Sequence, residues 1–387
     1  MKKRFPFFSV SAKKRDVVFS GVVLFFCVVL YFIPTGFEGR LPREIEHTEG
    51  QVVSVDNSHM EQHGLILSGS QGVDVMLLTG RWKGQTVRTG NHFLGKMELD
   101  RVFVPGERVL MNLASLGDVI TWAQAADHYR LKVELLLLVV FALFLLFYGG
   151  FIGFQSIMSF IFTGLVLWKV MIPYMLKGVE PIFLSFGIAG ILSAVVLYLV
   201  GGLGRKATVA FLGAIAGLGV TAVMALFFTG RFRVSGAVLP FSETLLYSGY
   251  AHLNLTRIFI ASVVLSASGA VTDLAMDISA AMSEIVRHNP SISRRELFFS
   301  GNNIGKAVIG TMTTTLLLAY SGGYIAMLML FMGQGLPELN ILNMNYVAAE
   351  ILHTVVGSFG LVLVAPLTTI MGALLYVSPK EKTLNEA

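Results

Sequence analysis

The sequence predicts an all-α membrane bundle of eight transmembrane helices, with a small extracytoplasmic β-rich domain inserted between the first and second helices. Three observations predict it. The 387-residue chain is 54% hydrophobic and only 14% charged, where globular proteins carry about a quarter charged residues. Its mean hydropathy is +0.71. From Leu131 onward, apolar runs follow one another, each about the 20 residues that a helix needs to cross a ~30 Å hydrocarbon core. The net charge of +5 is concentrated in residues 1–15 and in short loops, so it reads as a topology signal rather than a nucleic-acid footprint. The single cysteine, Cys27, lies inside the first apolar run. It excludes an intramolecular disulfide and says nothing about redox compartment.

Residues 1–37 read as a cytoplasmic basic tail and a signal-anchor helix. Lys2, Lys3, Arg4, Lys13, Lys14 and Arg15 precede an apolar run from Val17 to Ile33. No small-residue cleavage site follows, since the chain continues as Pro34-Thr35-Gly36-Phe37-Glu38. Residues 38–130 change character. Short β-prone runs at 50–55, 73–78, 86–88, 108–111 and 118–122 are separated by Gly80, Gly84, Gly90, Gly95 and Pro105-Gly106. That spacing predicts a small sandwich or barrel. It lies outside the cell, because the basic N-terminus stays in. With mixed charge and no histidine–cysteine cluster, it suits a structural or partner-binding module.

Residues 131–378 supply seven further helices, with spans near 131–149, 152–175, 181–201, 207–229, 255–275, 307–332 and 347–377. Only Gly149-Gly150 separates the first two of these. Eight helices put both termini on one side, and residues 379–387 become a cytoplasmic tail. Arg205, Lys206, Arg287, Arg294, Arg295, Lys306, Lys380 and Lys382 join the N-terminal charges inside, against Lys177, Arg231, Arg233 and Arg257 outside. The positive-inside rule therefore predicts cytoplasmic termini in a bacterial plasma membrane. The pairs Gly213/Gly217 and Gly301/Gly305 have the GxxxG spacing that lets helix backbones approach closely.

Polar residues inside these spans carry the functional reading, because such groups are costly in a bilayer. Asp273 and Asp277 are four residues apart and share a helix face, with Ser266, Ser283 and Glu284 near the same stripe. From a helix start near Arg257, Asp273 is about 24 Å along, in the inner third of the membrane. The chain turns at Asn289-Pro290, with Ser291 or Ser293 as the next N-cap. Asn302, Asn303, Lys306, Thr311, Thr313, Thr314 and Thr315 then enter at a similar depth. A Lys306–Asp277 or Lys306–Asp273 pair is expected. Toward the outside, Lys169 and Glu350 form a second expected pair, with His353 one turn below Glu350. Both layers serve a solute or ion path, or tie helices together as locks.

Several motifs fall short. Gly301-Asn-Asn-Ile-Gly305-Lys306-Ala307 has one residue too few for a phosphate loop, lacks the magnesium-binding hydroxyl and follows no strand. Glu350-Ile-Leu-His353 has an ExxH spacing but no second copy. No HExxH occurs, and Asp273 and Asp277 share one helix rather than facing each other across two. Asn254-Leu-Thr256 matches a glycosylation sequon by chance. No catalytic motif is complete, and no cofactor or metal site is indicated.

The segments Thr272-Asp-Leu-Ala-Met-Asp-Ile-Ser279, Asn289-Pro290, Glu296-Leu297, Ser300-Gly-Asn-Asn-Ile-Gly305 and Gly310-Thr-Met-Thr-Thr-Thr-Leu-Leu-Leu-Ala-Tyr320 resemble the YibE/F-like family of bacterial membrane proteins. Leu167-Trp-Lys169 with Pro173, Glu350 with Val356-Gly-Ser-Phe-Gly-Leu-Val-Leu363, and Pro366-Leu-Thr368 extend the resemblance over roughly residues 50–377. It implies a multi-pass membrane protein and no particular activity. The residues themselves point to a permease or exporter of an ion or small solute, with Asp273 and Asp277 as an inner gate or cation site. In that reading Lys306 neutralises the empty site and Asn302 and Asn303 are neutral ligands. The competing class is a non-transporting scaffold, assembly component or sensor. The partners expected are the lipid bilayer, an ion or small-molecule substrate, and a protein partner or second copy; nucleic acid is not among them.

Overall fold

The computed structural model describes residues 14–37 and 45–377. Lys2, Lys3, Arg4, Lys13, Glu38, Lys380, Lys382 and the tail at 379–387 lie outside the described residues. The chain separates into two compact units. One is residues 36–144; the other joins the segment up to residue 35 with everything from 145 onward.

The first unit holds an antiparallel sheet of β1 (Ile45–Asp56), β2 (Met60–His63), β3 (Ile66–Leu77), β4 (Thr86–His92), β5 (Arg108–Leu116) and β6 (Val119–His128). The strand order is β2-β3-β1-β5-β6, and β4 also pairs with β3. Alternation makes the inner face: Val73, Val75 and Leu77 on β3 and Val109, Met111 and Leu113 on β5 point inward, packing with Val52, Trp82 and Phe103. The sheet curls until the outer strands β4 and β6 meet, where Thr89 Oγ1 donates to the Ala123 carbonyl at 2.8 Å. Strand β2, four residues of mixed polarity without a two-residue apolar alternation, is the one strand outside the sequence-based expectation.

Two polar groups hold this unit together from inside. Gln71 is fully buried. Its amide donates to the Phe103 carbonyl at 2.9 Å and its carbonyl accepts from the Phe103 N–H at 3.0 Å, so it stands in for a strand neighbour. Glu49, whose side chain is 3% exposed, is paired with Arg108 at 2.5 Å and Lys132 at 2.9 Å. Burial alone would raise the Glu49 carboxyl, but the bonds from Lys132 and Arg108 outweigh it and hold it low. Asp127 is held down to about 2 in the same way: burial opposes, while Arg130, Arg101 and the His128 amide stabilise its charge.

The second unit is helical: α1 (Lys14–Phe32), α2 (Leu131–Val166, which begins in the first unit), α3 (Ile172–Leu176), α4 (Pro181–Gly201), α5 (Arg205–Phe232), α6 (Ser242–Leu245), α7 (Leu255–His288), α8 (Arg294–Ser321), α9 (Ile325–Gly333), α10 (Glu338–Asn343) and α11 (Asn345–Tyr376). Among the described residues, seven helical stretches are long and apolar enough to cross a membrane. One of them, Leu131–Leu176, is 46 residues long and cannot be straight. Gly150 has φ 53 and ψ −122, a backbone open to glycine. A Cβ on Gly153 would stand 2.0 Å from the Leu145 carbonyl oxygen, so the helix is sharply kinked at Gly150. A π turn at Leu167–Met171 joins the second arm to α3, where Pro173 removes the amide of a regular turn.

The caps explain where helices start. Asn254, part of the sequon match, caps α7 by accepting the Arg257 N–H at 3.1 Å. Of the two serines expected before α8, Ser293 is the cap, closed into a capping box by Glu296. That box starts α8 at Arg294 rather than near 307, because Asn302, Asn303 and Lys306 sit on the helix surface without interrupting it. At its other end the predicted span is broken by a tight turn at Gly322–Tyr324.

Both GxxxG pairs pack helices, as their spacing predicts. A Cβ on Gly213 would lie 2.0 Å from Thr368 Oγ1 and 2.9 Å from the Thr368 backbone, and one on Gly217 would lie 2.9 Å from Val364 Cβ. Gly360 of α11 answers from the other side, 1.9 Å from Thr221 Oγ1. Gly301 and Gly305 meet Met282, Thr369, Ala365 and Ile278 in the same manner. Glycine thus sets how closely α5, α7, α8 and α11 pack.

Gly213→Ala is expected to destabilise the full-length protein in detergent by about 1–3 kcal/mol through overpacking. Gly219→Ala, on the same helix with nothing within 4 Å of its Cβ position, should be neutral or slightly stabilising. Thermal melting followed by size-exclusion chromatography separates the two, and equal losses would contradict the packing. In the β-rich unit both carboxyl shifts are downward, so their stabilisation is complete above the unfolded carboxylate range near 4. It is lost as pH falls toward 2. Asp127→Asn should therefore lower stability at pH 5–7 and match the wild type near pH 2, with Trp82 fluorescence as the reporter.

Candidate functional site

The predicted site residues fall into two groups that the fold treats differently. Asp273 and Asp277 stand one turn apart on a face of α7 that also carries Ser266, Gly269 and Glu284 and is exposed rather than packed. The opposite faces of α7, with Val271, Leu274, Ala275, Ile278 and Met282, form the core. On α8, Asn303, Lys306, Thr311 and Thr314 are exposed and Asn302 is half-buried. Thr311 donates to the Val308 carbonyl of its own helix at 3.0 Å. Among the described residues, Asp273, Asp277, Asn302, Asn303 and Lys306 enter no side-chain hydrogen bond or ion pair, so the expected Lys306–Asp277 and Lys306–Asp273 pairs do not form. The reason is rotational. The α7–α8 contact runs through Ile278 with Gly305 and Met282 with Gly301, and this leaves the acids and Lys306 off the shared surface.

The polar locks between helices are made by hydroxyls instead. Ser193 of α4 meets Thr272 of α7 at 2.8 Å. Ser279 of α7 bonds the Lys206 carbonyl at 2.7 Å and shares a 2.8 Å bond with Tyr376 of α11.

The expected Lys169–Glu350 pair is also replaced. Lys169 sits in the π turn and donates from Nζ to the Ile33 carbonyl at 2.9 Å, capping the end of α1. Pro173, which lacks an amide to donate, lies just beyond that turn. Among the described residues, no lysine or arginine is paired with Glu350.

Glu350 and His353 do come together, one turn apart on α11 and both largely buried, with Glu350 Oε2 4.0 Å from His353 Nδ1. That separation is too long for a direct hydrogen bond. His353 is fixed from three sides. Its Nε2 shares a 2.6 Å hydrogen bond with the Ser266 hydroxyl of α7. Tyr320 of α8 stacks on the ring with centroids 4.4 Å apart and an interplanar angle of 25°, and Phe259 meets it edge-on at 6.4 Å. The Tyr320 hydroxyl lies beside Ser266 and that of Tyr324 beside Glu350. Glu350 Oε1 is buried and, among the described residues, has no hydrogen-bond partner, an arrangement that calls for an explanation in any folded protein. The carboxyl borders a cavity of about 200 Å³ whose wall includes Leu317, Tyr324, Met327, Val347 and Thr354.

Ser266, Tyr320 and Tyr324 were not among the predicted site residues. In the sequence Ser266 is only part of the α7 stripe, and Tyr320 only the end of a family motif. The sequence does hold a signal: Tyr320-Ser-Gly-Gly-Tyr324 interrupts an apolar run with two hydroxyl-bearing rings around a glycine break.

A family model described as YibE/F-like protein matches residues 137–378. The chain belongs to this family. The match takes in α7, α8 and α11 with every residue of the candidate site, whereas the β-rich unit lies almost wholly outside it, contrary to the wider resemblance expected from sequence. No curated protein and no solved structure matches the chain.

Double-mutant cycles on thermal stability distinguish the observed contacts from the expected ones. Ser266→Ala with His353→Phe should show a coupling of about 0.5–1.5 kcal/mol. Lys169→Met with Glu350→Gln, and Lys306→Met with Asp277→Asn, should be additive within about 0.5 kcal/mol. Coupling in either of the latter pairs would refute the arrangement described.

Proposed function

We propose that this YibE/F-like protein is a permease or exporter of an ion or small solute in the cell membrane, with Glu350 as the charge that binds and releases it. One observation carries the reading. A glutamate and a histidine are held together inside an otherwise apolar contact of three helices, beside a cavity, with one carboxylate oxygen unpartnered. Ionisable groups within spans are expensive, and they mark ion paths and proton relays. His353 is the neighbouring imidazole, and Ser266 and Tyr320 fix its ring beside the carboxyl.

The topology that goes with this reading has eight spans. The two arms at 131–149 and 151–166 count as separate crossings, the second continuing through the π turn into α3. Both termini are then cytoplasmic, the β-rich unit is extracytoplasmic, and Glu350 and His353 lie toward the outside. Asp273 and Asp277, with Asn302, Asn303, Lys306, Thr311 and Thr314 of α8, form a polar layer near the inner face. Lys169 is an anchor for α1 in this scheme.

A second reading, a membrane scaffold or assembly component, is favoured by the uncovered acidic face of α7. A second copy or a partner helix laid there would bury Asp273.

Proteoliposome flux across a panel of monovalent cations and small solutes, driven by a pH gradient, tests the proposal. Glu350→Gln should lower flux at least tenfold while abundance and melting temperature stay near wild type. Asp277→Asn should leave folding intact and alter flux less. If no solute on the panel moves with the wild type, or if both substitutions act only through lost protein, the scaffold reading takes its place.

A further inference from the structure

The cavity beside Glu350 specifies a kind of ligand more narrowly than an ion or small solute. Its wall is almost entirely hydrocarbon and aromatic, from Leu317, Met327, Leu328 and Val347 to the Tyr324 ring. Glu350 supplies the one charge on that wall. The groups that face this carboxyl are His353 on its own helix, Tyr324 just beyond the end of α8, and, through His353, Tyr320 of α8 and Ser266 of α7. None is a permanent cation. A permanent positive charge is therefore what the pocket lacks.

Small, strongly hydrated metal ions require a shell of oxygens to replace their water, and a mostly hydrocarbon wall offers too few. A weakly hydrated organic cation has the opposite requirement. Its alkyl groups gain from the apolar wall, its charge gains from the carboxylate in a water-poor site, and the face of a tyrosine ring adds a cation–π contribution. At about 200 Å³, the space is smaller than the usual range for drug-sized ligands, about 300–1,000 Å³. It suits a compact monovalent ammonium. We infer that the Glu350 cavity is a binding site for a small organic cation, a protonated or quaternary amine with short alkyl groups, which forms its ion pair with Glu350. When the cation leaves, a proton on the same carboxyl removes the uncompensated charge. This rests on the permease reading above and names its substrate class.

The test is equilibrium binding by calorimetry on the full-length protein in detergent, with tetraethylammonium as probe and potassium as the inorganic control. Saturable binding of tetraethylammonium is expected, with potassium failing to displace it at equal concentration. Glu350→Gln should weaken binding at least tenfold, and Glu350→Asp by less. Leu317→Trp enlarges a side chain on the pocket wall while leaving Glu350 in place and should also abolish binding, which keeps the test valid if Glu350→Gln folds poorly. Absence of binding to the wild type, equal binding to Leu317→Trp, or displacement by potassium would overturn the inference. Glu350-dependent cation flux with no tetraethylammonium binding would sink the substrate class and leave the permease standing. Binding without flux of any solute would do the reverse.

Discussion

The helical unit depends on the close approach of α5 and α11. Gly213, Gly217 and Gly360 remove side chains where Thr368, Val364 and Thr221 would otherwise collide with them. Inside a bilayer no hydrophobic force favours helix contact over lipid contact, so intimate packing of this kind is what holds helices together. Setting α11 against α5 also fixes its other faces. Gly357 then comes to ordinary contact distance from Ala267 of α7 and Tyr320 of α8, one turn from His353. The Glu350–His353 site is thus a consequence of glycine spacing elsewhere on the same helix.

The hydroxyl locks and the charged residues divide the polar work between them. Serine and threonine bond across helices or back onto their own carbonyls, as in Ser193–Thr272 and Thr369–Ala365. These groups can be satisfied locally and therefore suit structure. Thr229 and Thr368 share with Glu350 a buried oxygen that has no partner among the described residues, but Glu350 alone of the three brings an ionisable carboxyl into the helix contact. A leucine would fill the same volume at lower cost. An acid standing where an apolar residue would stabilise more is the physical basis for assigning it a functional role.

Sequence alone made the membrane character, the β-rich segment, the helix break at Gly149-Gly150 and the packing glycines legible, because each rests on local chemistry: run length, alternation, backbone freedom and side-chain absence. It also singled out Glu350 and His353, since charge in an apolar run is visible without coordinates. The partners of those charges were not legible. Lys169 and Glu350 lie at plausible depths for a pair, yet a π turn before Pro173 directs Lys169 to the Ile33 carbonyl. Lys306 and Asp277 are close along their helices, yet the rotation set by Gly301 and Gly305 leaves them on separate surfaces. Depth follows from counting residues, whereas pairing follows from helix rotation, which one sequence does not encode simply. Tyr320 and Tyr324 escape the sequence for the same reason: their place beside His353 and Glu350 depends on helix rotation and on the turn at Gly322–Tyr324.

The two acids of α7 do not carry equal cost. On the proposed orientation, a ~30 Å core entered near Arg257 spans about 20 residues of helix, which ends close to Asp277. That carboxylate reaches headgroups and water, and its exposure needs no further partner. Asp273 is one turn deeper, about 6 Å inside the core, where an acid costs roughly 2.5–3.5 kcal/mol on insertion scales. Its neighbour on the open face is Gly269, with nothing within 4 Å of its Cβ position among the described residues. Water drawn in from the inner face, or a helix from another molecule, must meet Asp273 there.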